Sequence, residues 1–277
     1  MEPLVVPAAA AILLLGLLVG WVLVRIRQAS RLRSASAVVP ATWRPLIEER
    51  VLLTRKLSAE DWNRLLALVS EFVRDKHFEG IDGLVVTEEI KVIVAAQACL
   101  LVLHVDTGAF PRVRSIILYP GTFVPRRAQL DRHVRLEPEV EPAPLLGEAV
   151  RGAIVLSWES IQQSLVEPRD GHNVVLHEFA HELDREDGYV DGIPLLEPPS
   201  STRTWAKVLR ERFEELQRQT GDGERDLLNE YGATNRAEFF AVATELFFER
   251  PVEMRERYPD LYRELQGFYR QDPAERA

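Results

Sequence analysis

The stretch Asp170-Gly-His-Asn-Val-Val-Leu-His177-Glu178-Phe-Ala-His181-Glu-Leu-Asp184 constrains this chain more than any other. Histidines four residues apart lie one turn above each other on one helix face. Val174, Val175, Phe179, Ala180 and Leu183 make the same helix largely apolar, and imidazoles in such surroundings need partners. One Zn2+ can satisfy both, at about 2.0–2.1 Å from each nitrogen. Glu178 is rotated about 100° from His177, so it lies beside the metal rather than on it. There it can take a proton from an attacking water and later hand it to a leaving amine, which is the reason for the His-Glu-x-x-His spacing. Asp170 is placed to cap this helix and Gly188 to end it.

A catalytic zinc site needs a third protein ligand and an open fourth position. No histidine follows His181, which leaves Asp or Glu. Glu238 opens a second apolar helix that runs to about Phe248, where a carboxylate needs a reason to be present. It also resembles half of a capping box with Asn235. Glu245, two turns further on a similar face, is the rival ligand. Asp184 is placed to accept a hydrogen bond from a ligand imidazole. His172 falls off the ligand face and reads as a polar residue of the first turn.

The amino terminus carries a different signal. Leu4 to Val24 contains no charged residue and as a helix would span roughly 30 Å, a bilayer's hydrocarbon core. Arg25, Arg27, Arg31 and Arg33 follow it, whereas only Glu2 precedes it. Basic flanks stay on the cytoplasmic side, so the expectation is a single-pass anchor in the inner or plasma membrane with the rest of the chain cytoplasmic. A soluble cytoplasmic protein is the alternative. A cleaved signal peptide fits poorly, because the charge lies on the wrong side and the apolar run is too long. Gly16 and Gly20 form a GxxxG pair, a weak signal for anchor pairing. The net charge of −9 repels phosphate backbones and argues against nucleic acid as a partner. Cys99, the lone cysteine, excludes an internal disulfide and a cysteine-rich metal site.

Residues 28–42 read as a small, basic linker. Helices are expected from Ser58 onward, on the spacing of Trp62, Leu65, Leu66, Val69, Phe72 and Val73, and from Thr87 to about His104. Short β-prone runs at Ser115–Tyr119 and Ala153–Trp158 follow, around an acidic, proline-rich loop at Glu137–Pro144. From residue 160 the pattern is mostly helical, with a turn-rich break from Gly188 to Ser201. Helices, strands and then helices imply an α+β domain. The expected division is residues 1–27 as a transmembrane anchor, 28–44 as a juxtamembrane linker and 45–277 as a zinc metallopeptidase domain.

At His-Glu-Phe-Ala-His-Glu-Leu-Asp (177–184), Tyr-Gly-Ala-Thr-Asn-Arg-Ala-Glu-Phe-Phe-Ala-Val (231–242), Ile-Val-Leu-Ser-Trp (154–158) and Phe-Tyr-Arg-Gln-Asp-Pro (268–273) the chain resembles the Mlc titration factor A family of zinc peptidases. The resemblance runs from about Leu57 through Pro273. A similar pairing of the first two blocks is seen in the catalytic domain of anthrax lethal factor. The resemblance implies a zincin-like gluzincin with Glu238 as third zinc ligand, Tyr231 as donor to a developing oxyanion, and 154–158 as the edge strand against which an extended peptide lies. It implies a peptide or protein substrate, with aminopeptidase-type action one option. It also implies a second role, the binding of a transcriptional repressor. The competing function is therefore a zinc-containing regulatory binding protein, and a zinc hydrolase of another bond is a third.

Overall fold

The computed structural model describes residues 39–121, 152–196, 202–223 and 226–276. Among these residues no helix is long and apolar enough to cross a membrane. This corrects the expected membrane placement. The run from Leu4 to Val24 on which that expectation rested lies outside the described residues, as does the proline-rich stretch 137–144.

The body is a helix-rich α+β assembly around a small parallel sheet. Helix α1 (Trp43–Arg50) starts inside the expected linker, and Trp43 and Ile47 are buried. Ser58 and Thr87 cap the next two helices, α2 (Ala59–Asp75) and α3 (Glu88–Leu101), by accepting hydrogen bonds from Asp61 N and Ile90 N. Both caps are of the sort that short hydroxyl side chains provide. From Ile90 to Leu101 every residue of α3 except Lys91 is buried. It packs against α1 and α2 on one side and the metal-site helix on another.

The sheet has the order β1 (His77–Gly80), β2 (Ser115–Tyr119) and β3 (Ala153–Ser157), all parallel. Parallel neighbours need a crossover, and α3 provides the one between β1 and β2. Strand β1 is absent from the sequence expectation, and β3 ends one residue early. Ser157 there accepts from Ser160 N and starts α4 (Trp158–Val166). Among the described residues one edge of β3 is unpaired.

The remaining helices are α5 (Val174–Asp184), α6 (Thr202–Gly221), α7 (Arg236–Glu249), α8 (Pro251–Arg257) and α9 (Pro259–Tyr269). Apolar contacts fix α5 and α7 from behind. Phe179 of α5 packs on Phe72 at 5.6 Å and Phe110 at 4.6 Å between ring centroids. Helix α7 is buried along nearly its whole length. Its Phe240 meets Trp205 and Phe268, and its Thr244 hydroxyl lies 2.8 Å from the Tyr269 hydroxyl.

Candidate metal centre

Helix α5 begins one turn later than the sequence suggests. The cap is Asn173, whose side chain accepts from Leu176 N at 3.1 Å. Asp170 instead closes a local turn, accepting from His172 N at 2.8 Å. At the other end a short 3-10 turn, Arg185–Asp187, stops at Gly188, whose φ of 98° suits a residue without Cβ. Helix α7 starts as expected: Asn235 accepts from Glu238 N at 3.0 Å. The reciprocal half of a capping box is not made, because the Glu238 carboxylate turns to α5 instead.

His177, His181 and Glu238 come together. Their ligand atoms all lie within 4.8 Å of one another. Glu238 Oε2 is 3.0 Å from His177 Nε2 and 3.3 Å from His181 Nε2. Ligands at about 2.0–2.2 Å around a tetrahedral ion stand roughly 3.4 Å apart, so these separations match a small divalent cation. Two imidazoles and one carboxylate are also a donor set that zinc accepts. The residues fit the metal that the sequence pattern implies.

The electrostatics agree. Burial opposes charge on His177, but hydrogen bonds to Glu238 and Glu245 outweigh it and raise the imidazolium pKa to about 10. Burial likewise works against the Glu238 carboxylate, yet the two imidazoles hold its pKa down at about 2. The carboxylate thus stays charged where a cation would sit. Glu178 lies beside this group, and its side chain makes no hydrogen bond among the described residues. Burial raises its pKa above the ordinary carboxylate value, with Glu238 and Glu182 adding to the effect and the two histidines opposing it.

Tyr231 sits in a 3-10 turn, Glu230–Ala233, started by Asn229, whose side chain accepts from Tyr231 N at 2.7 Å. Its ring is half exposed and lies 6.0 Å from the His177 ring, centroid to centroid. Glu245 is not beside the metal-facing nitrogens. Its Oε1 lies 2.7 Å from His177 Nδ1, so it orients the imidazole rather than competing as a ligand. Its other oxygen accepts from Asn173 N. Asp184 does not meet an imidazole. Its Oδ2 accepts from Gly192 N at 3.0 Å, while its Oδ1 and His181 Nδ1 are both buried without a hydrogen-bond partner among the described residues.

A buried network behind His177 escaped the sequence reading. Asn173 Nδ2 donates to Gln97 Oε1 at 2.9 Å and to Glu249 Oε1 at 3.1 Å, and Glu249 Oε2 accepts from Gly171 N at 3.0 Å. Burial, with Asp170 and Glu245 nearby, raises the Glu249 pKa to about 8, against the effect of its own hydrogen bonds. The signal was present as three acids, Glu238, Glu245 and Glu249, in an otherwise apolar helix. A cavity of about 420 Å³ opens beside His177, bordered by Gln163, His172, Asn229 and Tyr231.

Comparison with known proteins points the same way. The sequence model of a family described as glucose-regulated metallo-peptidase M90 matches residues 24–270. An uncharacterized protein of Synechocystis sp. is 34% identical over 238 residues, covering 85% of this chain and 86% of that protein. Proteins named Mlc titration factor A are 33% identical in Pectobacterium atrosepticum and 32% in Edwardsiella ictaluri. Each alignment covers 81% of this chain, with 84% and 85% of the relatives. With a metal-capable His-His-Glu group and a match over nearly the whole sequence, the chain belongs to the glucose-regulated metallo-peptidase M90 family.

Proposed function

We propose that this chain is a zinc-dependent peptidase, with residues 45–277 as the catalytic unit, His177, His181 and Glu238 as ligands, and Glu178 as general base. The observation that carries this reading is the convergence of two imidazole nitrogens and a carboxylate oxygen within 4.8 Å, beside a second, unengaged carboxyl group. Zinc held there would polarise the scissile carbonyl and bring the pKa of a water toward ~7. Glu178 takes the proton of the attacking water and passes it to the leaving amine. Its raised proton affinity suits a group that must both accept and release a proton. Tyr231 donates a hydrogen bond to the carbonyl oxygen as it gains negative charge. The outer edge of β3 presents backbone N–H and C=O groups to an extended peptide. The substrate is a small peptide or an exposed chain end, with aminopeptidase-type action one option.

The test is hydrolysis of a peptide panel by the parent and by Glu178→Gln, with zinc content measured for both. The expected result is activity in the parent that is lost on chelation, and a variant that keeps zinc but loses about 10²–10⁴-fold in rate. Undiminished hydrolysis by the variant would remove Glu178 from the mechanism.

A second reading is favoured by the names of the relatives, which speak of a titration factor more directly than of hydrolysis. On this reading the chain is a regulatory binding protein that sequesters a transcriptional repressor, and the metal holds α5 to α7. Repressor binding that persists in Glu178→Gln, with no cleavage by the zinc-loaded parent, would select it.

A further inference from the structure

A second cavity, of about 240 Å³, lies among Arg55, Lys56, Arg169, Arg276, Phe248 and Glu249, with further apolar residues in its wall. Four cationic residues line it, from three separate parts of the chain: the turn before α2, the loop between α4 and α5, and the carboxyl-terminal end. In a protein of net charge −9 such a concentration is local and unlike the surface as a whole. Arg55 and Arg169 make no ion pair with any described residue. Arg276 is partly buried, and its guanidinium donates to a neutral acceptor, Gln271 Oε1, at 3.0 Å. Burial lowers its pKa even though Asp61 and Asp272 are near enough to oppose the effect. Those two acids are already engaged, Asp61 with His104 and Asp272 with Tyr262 and Gln266.

Glu249, the acid in the wall, does not serve as counter-charge. Its two oxygens are turned to Gly171 N and Asn173 Nδ2. The cavity thus gathers guanidinium groups that the one carboxyl group of its wall does not pair with. Guanidinium forks match phosphate oxygens in geometry as well as charge. The space is too small for a folded partner or a length of nucleic acid. Phe248 gives it one apolar wall, suited to the carbon body that a phosphoryl group carries.

We propose that this cavity is a binding site for a small phosphomonoester, its phosphoryl group held by Arg55, Arg169 and Arg276 and its carbon body against Phe248. The site is separate from the metal centre, and the proposal does not depend on peptidase activity.

The test is calorimetric titration of the full chain with inorganic phosphate and with phenyl phosphate, at physiological salt. Zinc-loaded and zinc-free protein are compared, because phosphate can also bind zinc. We expect saturable one-to-one binding in both forms, with phenyl phosphate the tighter ligand. Arg55→Glu and Arg169→Glu, both exposed positions, should each weaken it at least tenfold, about 1.4 kcal/mol. Absence of saturable binding, binding that disappears with the zinc, or affinities unchanged in both charge reversals would each overturn the proposal.

Discussion

The two ends of α5 carry one imidazole each, and they hold them differently. At the amino-terminal end His177 is engaged on both ring nitrogens, by Glu245 and Glu238, and Glu245 is itself tied to the Asn173 backbone. At the carboxyl-terminal end His181 hydrogen-bonds to Glu238 alone among the described residues, and its Nδ1 and the Asp184 Oδ1 are buried without hydrogen-bond partners among them. Buried polar groups are ordinarily satisfied. His177 is therefore held by a buried carboxylate network on its Nδ1 side, and His181 is not.

The largest effect that could break this contrast is expected from the backbone at the loose end. Gly192 has φ of 80°, donates its N–H to Asp184, and passes so close to α7 that an added Cβ would lie 2.5 Å from Arg236 O. Gly192→Ala should cost roughly 2–4 kcal/mol of stability, measured by urea unfolding. A neutral result would mean that the loop yields more freely than its geometry implies. Next in size is Glu245→Gln, which should weaken zinc binding about 10–100-fold in a chelator competition. Asp184→Asn at the other end should cost less than about threefold, ~0.7 kcal/mol. Equal losses from the two substitutions would erase the contrast.

A further effect concerns pH. The Glu249 value of about 8 lies above the ordinary 4.5, so the folded protein binds this proton more readily than the unfolded chain does. Stability from this group is full below about 4.5 and is lost as pH rises through 8. Thermal denaturation between these limits should therefore show the parent losing stability relative to Glu249→Gln, on the order of 1–3 kcal/mol at the alkaline end. Parallel profiles would mean that Glu249 ionises as readily in the fold as in the unfolded chain.

What could be read from sequence is what is decided locally. Ser58 and Thr87 announce their helices because a cap acts within one turn, and the positions of His177 and His181 follow from helical spacing alone. Strand β1 was invisible because His77-Phe-Glu-Gly80 has no β-branched residue and no clear alternation. Its extended backbone is set by pairing with β2, whose residues lie far along the chain. Asp170 and Asn173 are both good caps, and only the neighbours Gln97 and Glu249 decide for Asn173. Glu245 was read as a rival ligand since it shares a face with Glu238. Spacing gives the face, but seven residues are also about 10 Å of helix, enough to bring its carboxylate to the far nitrogen of the imidazole.

Helix α7 holds Glu238, Glu245 and Glu249 on one continuous, buried rod, each meeting a different part of α5 or the loop before it. Inserting or deleting one residue between positions 238 and 249 would turn one end by about 100° against the other. No local repair could bring the three acids back to their partners. This segment can therefore change in composition as sequences diverge but not in length, and the eleven-residue interval from first to last acid is a ruler by which relatives that keep the same centre can be recognised.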